Sequence, residues 1–309
     1  MKDMIERIID EVGQVFVGNR QQVRLAVCCL LAGGHLLLED LPGLGKTTLA
    51  RALAQVLGLR HNRIQFTADL LPADILGMSV FRKDQAAFEF HPGPVFTEVL
   101  LADEINRATP RTQSALLEAM SESQVTIDGE TRSLPNPFFV IATQNPVHQS
   151  GTYPLPESQL DRFLMRLSLG YPEPEAERTL LLRTIDTMEV SAPPISANAL
   201  SEIKRMVEAA YLSESLLDYL QRLIAITREA PECAVGLSPR GGMSLARAAR
   251  AWAVMMGRDH VVPEDIQAVW VAVVAHRVLP AQGFSGDGEA LANTVLERVD
   301  VVGGGFSDA

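Results

Sequence analysis

The sequence predicts an α/β fold, a domain built on a parallel sheet, followed by a small all-helical domain. Three observations carry that prediction. Apolar runs at 35–39, 99–104 and 138–143 each end in polar residues, as buried parallel strands do when their tips face a ligand crevice. A glycine-containing turn, residues 40–48 (DLPGLGKTT), joins the first run to an amphipathic helix over 47–59. Beyond Tyr171-Pro172-Glu173-Pro174 the pattern is almost wholly helical. The division therefore falls at 1–170 and 171–309.

Taken in order, residues 1–34 read as two helices separated by Gly18-Asn19, the second carrying Val23, Ala26, Val27 and Leu30 at helical spacing. The strand HLLLE (35–39) then enters the glycine turn. Backbone N–H groups of such a loop, with a helix N-terminus behind them, cradle phosphate oxygens. The motif G-x-x-x-x-G-K-S/T marks Pro42, Gly43, Leu44, Gly45, Lys46, Thr47 and Thr48 as nucleotide-binding candidates. Asp40 stands where the motif usually has its first glycine. In this chemistry Lys46 reaches the β- and γ-phosphates of ATP and the Thr47 hydroxyl ligates Mg²⁺.

The second strand (VLLADE, 99–104) ends in two adjacent carboxylates. Asp103 is placed to hold Mg²⁺ through water and Glu104 to polarise an attacking water, the two services that phosphoanhydride hydrolysis needs. The third strand runs into Gln144-Asn145-Pro146. An amide at that tip can orient the lytic water, whereas Asn145 considered alone before a proline reads as turn chemistry. Hairpin patterns occupy 79–82 with 88–91, and 125–127 with 131–134 around Asp128-Gly129-Glu130. Helices follow over 175–188, 197–211, 215–230, 238–256 and 263–276, and the tail 303–309 reads as frayed.

Composition constrains the function classes. The chain has 309 residues, 47% hydrophobic and 21% charged, ordinary for a folded protein. Residues 1–16 are amphipathic with acids throughout, unlike a secretory leader, and the longest mostly apolar run, 25–38, is too short and too broken to span a membrane. Three cysteines point to a reducing compartment, so a cytoplasmic protein is expected. Cys28 and Cys29 project about 100° apart on a helix and are poorly placed to chelate together. A net charge of −11 disfavours a nucleic-acid substrate. Arg60 and Arg63 read as a solvated helix end.

The order of phosphate loop, Asp-Glu strand and strand-tip Asn resembles the AAA+ ATPases, in which Asn145 would be sensor 1. The two hairpins resemble the helix-2 insert and the pre-sensor hairpin of one AAA+ branch. Within it, RIQFTADLLPADILG (63–77), DEINRA (103–108), ATQNP (142–146), ESQLDRF (157–163) and SPRGG (238–242) resemble the MoxR family. The likeness runs from about Val17 to Leu279.

The resemblance makes Arg162 an arginine finger reaching a neighbouring subunit; the plainer alternative is a surface arginine paired with Glu157. It makes Arg240 sensor 2. Ser238 reads as an N-cap with Pro239 behind it, so Arg240 sits in a first helical turn where a cation opposes the macrodipole by up to about 1 kcal/mol. Asn106 and Arg107 are expected at subunit contacts, and His276-Arg277 on a solvated face. The family implies MgATP hydrolysis in a homo-oligomeric ring, a hexamer, with a chaperone-like role toward a protein client. That client would be one with a von Willebrand factor A domain, sometimes with metal insertion. A chelatase-type motor subunit and a nucleotide-dependent scaffold are the alternatives.

Overall fold

Residues 1–41, 43–84, 86–145, 151–182 and 194–301 are described by the structure, a computed structural model. Pro42, Pro146, the far end of the helix expected over 175–188, and the tail 303–309 lie outside them.

Helix α1 (Lys2–Val15) buries Ile5, Ile8, Ile9 and Val12 along one face. Helix α2 (Arg20–Leu31) starts at Asn19, whose side chain accepts the Gln21 N–H. The α/β domain continues with β1 (Leu36–Glu39), α3 (Lys46–Val56), β2 (His61–Gln65) and α4 (Pro72–Leu76). The hairpin β3 (Gly77–Arg82) with β4 (Ala87–Pro92) leads to β5 (Val99–Asp103), a single 3₁₀ turn and α5 (Pro110–Glu122). A second hairpin, β6 (Gln124–Ile127) with β7 (Glu130–Ser133), precedes β8 (Phe139–Gln144), α6 (Glu157–Leu160) and β9 (Met165–Leu167). Both hairpins pair antiparallel where the sequence predicts them.

Five strands form one parallel sheet in the order β2-β5-β8-β1-β9. Alternation along the strands sorts their side chains between two cores. Leu36, Leu38, Val99, Leu101, Phe139 and Ile141 join the cluster shared with α1, α2, α3 and the helical domain. Leu37, Leu100, Ala102, Val140 and Ala142 face the opposite cluster with Leu116 and Leu117 of α5. Both faces are covered, which is why these strands read as unbroken apolar runs.

After β9 the chain runs through α7 (Pro174–Leu182), α8 (Ala197–Ala209), α9 (Glu214–Glu229), α10 (Pro239–Met255), α11 (Pro263–Val274) and α12 (Gly288–Glu297). Among the described residues this segment is helical apart from a short antiparallel pair, β10 (Cys233–Val235) with β11 (Leu279–Pro280), and an isolated parallel bridge between Tyr211 and His260. Among the described residues no helix is long and apolar enough to cross a membrane.

Two expectations change here. Arg60 and Arg63 do not end a helix: residues 61–65 form β2, paired in register with β5, and Arg63 lies beside Asp103. A five-residue edge strand with one buried side chain carries too little periodicity to announce itself. His276 and Arg277 are buried rather than solvated, because the chain leaving α11 turns back under the loop before β9.

Candidate active site at the strand tips

Parallel pairing places the ends of β1, β5 and β8 side by side, with Leu38 opposite Thr143 and Ala102 opposite Ala142. Lys46, the first residue of α3, is thereby buried among these tips. Its Nζ donates to the Asp40 carbonyl at 2.7 Å and to Asn145 Oδ1 at 3.3 Å. Asn145 Nδ2 in turn donates to Glu104 Oε1 at 3.1 Å. The amide bridges an ammonium and a carboxylate, and only this orientation matches donor to acceptor at both ends.

Glu104 also accepts from Gln65 Nε2 at 3.0 Å and pairs with Arg107 at 3.2 Å. Its backbone φ is +55°, a left-handed conformation that costs a non-glycine residue about 1 kcal/mol. Thr143 holds that bend, accepting the Glu104 N–H at 2.8 Å and donating to Asp103 Oδ1 at 2.6 Å. The other oxygen of Asp103 pairs with Arg63 at 2.7 Å. Burial pushes the Lys46 ammonium below its ordinary pKa, while the charges of Asp40, Asp103 and Glu104 oppose that shift.

The loop itself needs its glycines: Gly43 and Gly45 have φ of +87° and +82°. A Cβ on Gly45 would also come within 3.1 Å of the Phe16 ring. Leu44 and Thr48 are half-buried, and Thr47 is exposed with its hydroxyl unbonded among the described residues. Beside the loop lies a cavity of about 290 Å³ walled by Phe16, Val17, Gly18, Leu169 and Pro172, of the kind that receives a nucleoside. Asp40 faces away from the phosphate cradle. Its Oδ2 accepts from Gly170 N at 3.0 Å, Ser168 Oγ at 3.2 Å and the Leu169 N–H, tying the loop to the chain after β9.

The two arginines stand apart from this cluster. Arg162 donates to the Leu117 carbonyl of α5 at 2.7 Å and does not pair with Glu157. Arg240 is exposed in the first turn of α10, without an ion pair among the described residues. One residue joins their two segments. Asp161 accepts from Arg277 Nε at 2.7 Å and from Ser238 Oγ at 3.2 Å, and Ser238 caps α10. Arg277 also donates to the carbonyls of Leu164, at 3.1 Å, and Phe163. Burial lowers its pKa, with Asp161 opposing.

Comparison with known proteins decides the family. Residues 35–165 match the ATPase family associated with various cellular activities (AAA), and residues 225–298 match the AAA lid domain. Chaperone MoxR1 of Mycobacterium tuberculosis is 40% identical, over 96% of this chain and 81% of its own length. The uncharacterized protein YeaC of Bacillus subtilis is 43% identical over 96% and 95% of the two chains. The chain belongs to the MoxR family of AAA+ ATPases. A crystal structure of a candidate ATPase from Cytophaga hutchinsonii superposes with a TM-score of 0.88 at 39% identity, covering 97% of this chain and 95% of that one.

As a MoxR-family chain, it binds nucleotide, and its residues fit a magnesium-bound one. Among the described residues no group of three or more His, Cys, Asp or Glu side chains could enclose a metal. Mg²⁺ needs no such cage, because it is usually held by one or two protein oxygens together with phosphate and water. Thr47 offers an unbonded hydroxyl, and Asp103 lies beside the loop.

Sequence reasoning missed several members of this site. Gln65, Thr143 and Asp40 brace the tips through contacts across strands that no local pattern reveals. Thr143 left a trace as a polar residue ending an apolar run, and Asp40 as a departure from the loop motif. Asn106 is corrected: it is buried, and its Nδ2 donates to the Asn145 carbonyl at 3.1 Å, so it steadies the tip and does not face another subunit. Arg107 is half-exposed but already paired with Glu104.

Proposed function

We propose that Lys46, Glu104 and Asn145 form the hydrolytic centre of this ATPase. The observation that carries the reading is the unbroken chain from the Lys46 ammonium through the Asn145 amide to the Glu104 carboxylate. Lys46 exchanges its carbonyl and amide partners for β- and γ-phosphate oxygens, and the backbone N–H groups of residues 43–48 cradle those phosphates. Glu104 accepts the proton of the attacking water while Asn145 orients it. Thr47, directly, and Asp103, through water, would hold Mg²⁺, which would supply charge neutralisation on the phosphates. Arg162 acts in trans on the γ-phosphate of a neighbouring subunit in a homo-oligomeric ring, a hexamer, and Arg240 acts from the lid.

The name of the mycobacterial relative supports a chaperone-like role, remodelling or maturing a partner protein; the cytoplasm is favoured by the three cysteines of the sequence. Family resemblance alone supports a von Willebrand factor A domain client and metal insertion. The same reading keeps the domain division at 170. Replacing Glu104 with Gln tests the centre: MgATP binding should persist while turnover falls at least about a hundredfold, the scale of general-base loss. Wild-type turnover in Glu104→Gln would place the base elsewhere.

A further inference from the structure

At the opposite end of the sheet, where the strands begin, a cleft of about 820 Å³ lies between the α/β domain and helices α8 and α10. None of the strand-tip residues lines it. Its floor is apolar, with Leu57, Leu134, Phe138 and Leu200. Its walls carry Lys204 and Arg205 from α8 and Arg247 and Arg250 from α10.

Among the described residues, three of these four cations lack a partner. The chain holds 38 acidic against 27 basic residues, yet Arg205, Arg247 and Arg250 make no ion pair or hydrogen bond among the described residues. The Arg250 Nε is buried without a partner. Two acids share the cleft. Glu98 is already taken by Arg60, through its N–H at 2.8 Å and its Nε at 3.3 Å, and Glu208 faces Lys204. Burial lowers the Lys204 pKa, and Glu208 opposes that shift. Concentrating like charges around an apolar floor is unfavourable unless an anion completes it.

We propose that this cleft docks an acidic segment of a partner protein, with carboxylates on Arg205, Arg247 and Arg250 and apolar side chains on the floor. The cations are divided between two helices, Lys204 and Arg205 on α8 and Arg247 and Arg250 on α10, with apolar side chains lining the same cleft. That distribution suits separated carboxylates with apolar groups between them, and it suits a compact polyanion poorly. The proposal deepens the partner reading above but requires no nucleotide chemistry.

The test is fluorescence anisotropy of the full chain, without nucleotide, using a labelled peptide that alternates glutamate and leucine. Saturable binding that weakens with salt is expected. The Arg247→Gln/Arg250→Gln double variant should bind at least about tenfold more weakly. Its basal ATPase rate should match wild type, which also shows that it folds. Arg205→Glu, on the other wall, should weaken binding as well. Lys46→Ala should bind the peptide like wild type, which separates this outcome from any failure of the hydrolytic reading. Four results would each overturn the proposal: no binding by wild type, undiminished binding by the double variant, loss of binding in Lys46→Ala, or equal binding of a lysine-for-glutamate peptide. Displacement of the peptide by tripolyphosphate at equal or lower concentration would assign the cleft to a compact anion and overturn it too.

Discussion

The strand-tip cluster and the Asp161 junction, which lies where β9 begins, are both polar networks, and they are built in opposite ways. Glu104 and Asn145 follow strands that end at one edge of one sheet, Lys46 opens the helix after the loop that leaves β1 there, and parallel register sets these strand ends side by side. Asp161, Ser238 and Arg277 come from a loop before β9, the cap of α10 and the end of α11, brought together by domain packing. The first leaves polar groups free to exchange their present partners for a substrate. The second spends its donors inside the protein: Arg277 has a side chain only 2% exposed, and its bonds go to Asp161, to backbone carbonyls and to the neighbouring His276 ring. A network that exchanges partners suits chemistry, and one that is closed suits the transmission of position.

The widest test of that contrast is Arg162, which follows the junction directly in sequence. If Arg162 acts on a neighbouring subunit, Arg162→Ala should bind MgATP normally but hydrolyse it about 10³-fold more slowly, or worse. Mixing it with Lys46→Ala subunits, after confirmed subunit exchange, should restore part of the steady-state ATPase rate. No recovery at all would remove the trans assignment.

Next in size is the junction itself. Asp161→Ala leaves the buried Arg277 guanidinium without its carboxylate and should cost about 2–4 kcal/mol of stability in urea denaturation. Asp161→Asn keeps an acceptor for Ser238 or Arg277 and should cost less. Equal, negligible losses in both would mean that the backbone carbonyls satisfy Arg277 unaided, and the contrast between the two networks would weaken.

The smallest expected effect belongs to the open network. Lys46→Ala removes a charge-assisted phosphate contact and should weaken MgATP binding about tenfold or more in calorimetry. It should leave folding stability nearly unchanged, because Lys46 has only a carbonyl and an amide as partners here.

The sequence by itself determined the three central strands, the phosphate loop, both hairpins and most lid helices, because apolar periodicity and glycine-lysine spacing are local signals. It also identified Lys46, Asp103, Glu104 and Asn145 as neighbours, since parallel strands that end in polar residues must end on one edge. Tertiary structure decided the rest. Strand β2 exists because β5 offers it a hydrogen-bonding edge, and that pairing brings Arg63 to Asp103. Asp40 appears in sequence as a missing glycine, but folding makes it the anchor of the loop to Gly170, 130 residues away. Arg277 resembles any charge at a helix end until the loop before β9 packs against it. In each case the deciding contact joins residues far apart in the chain, and burial, which makes such a contact count, is a property of the packed whole.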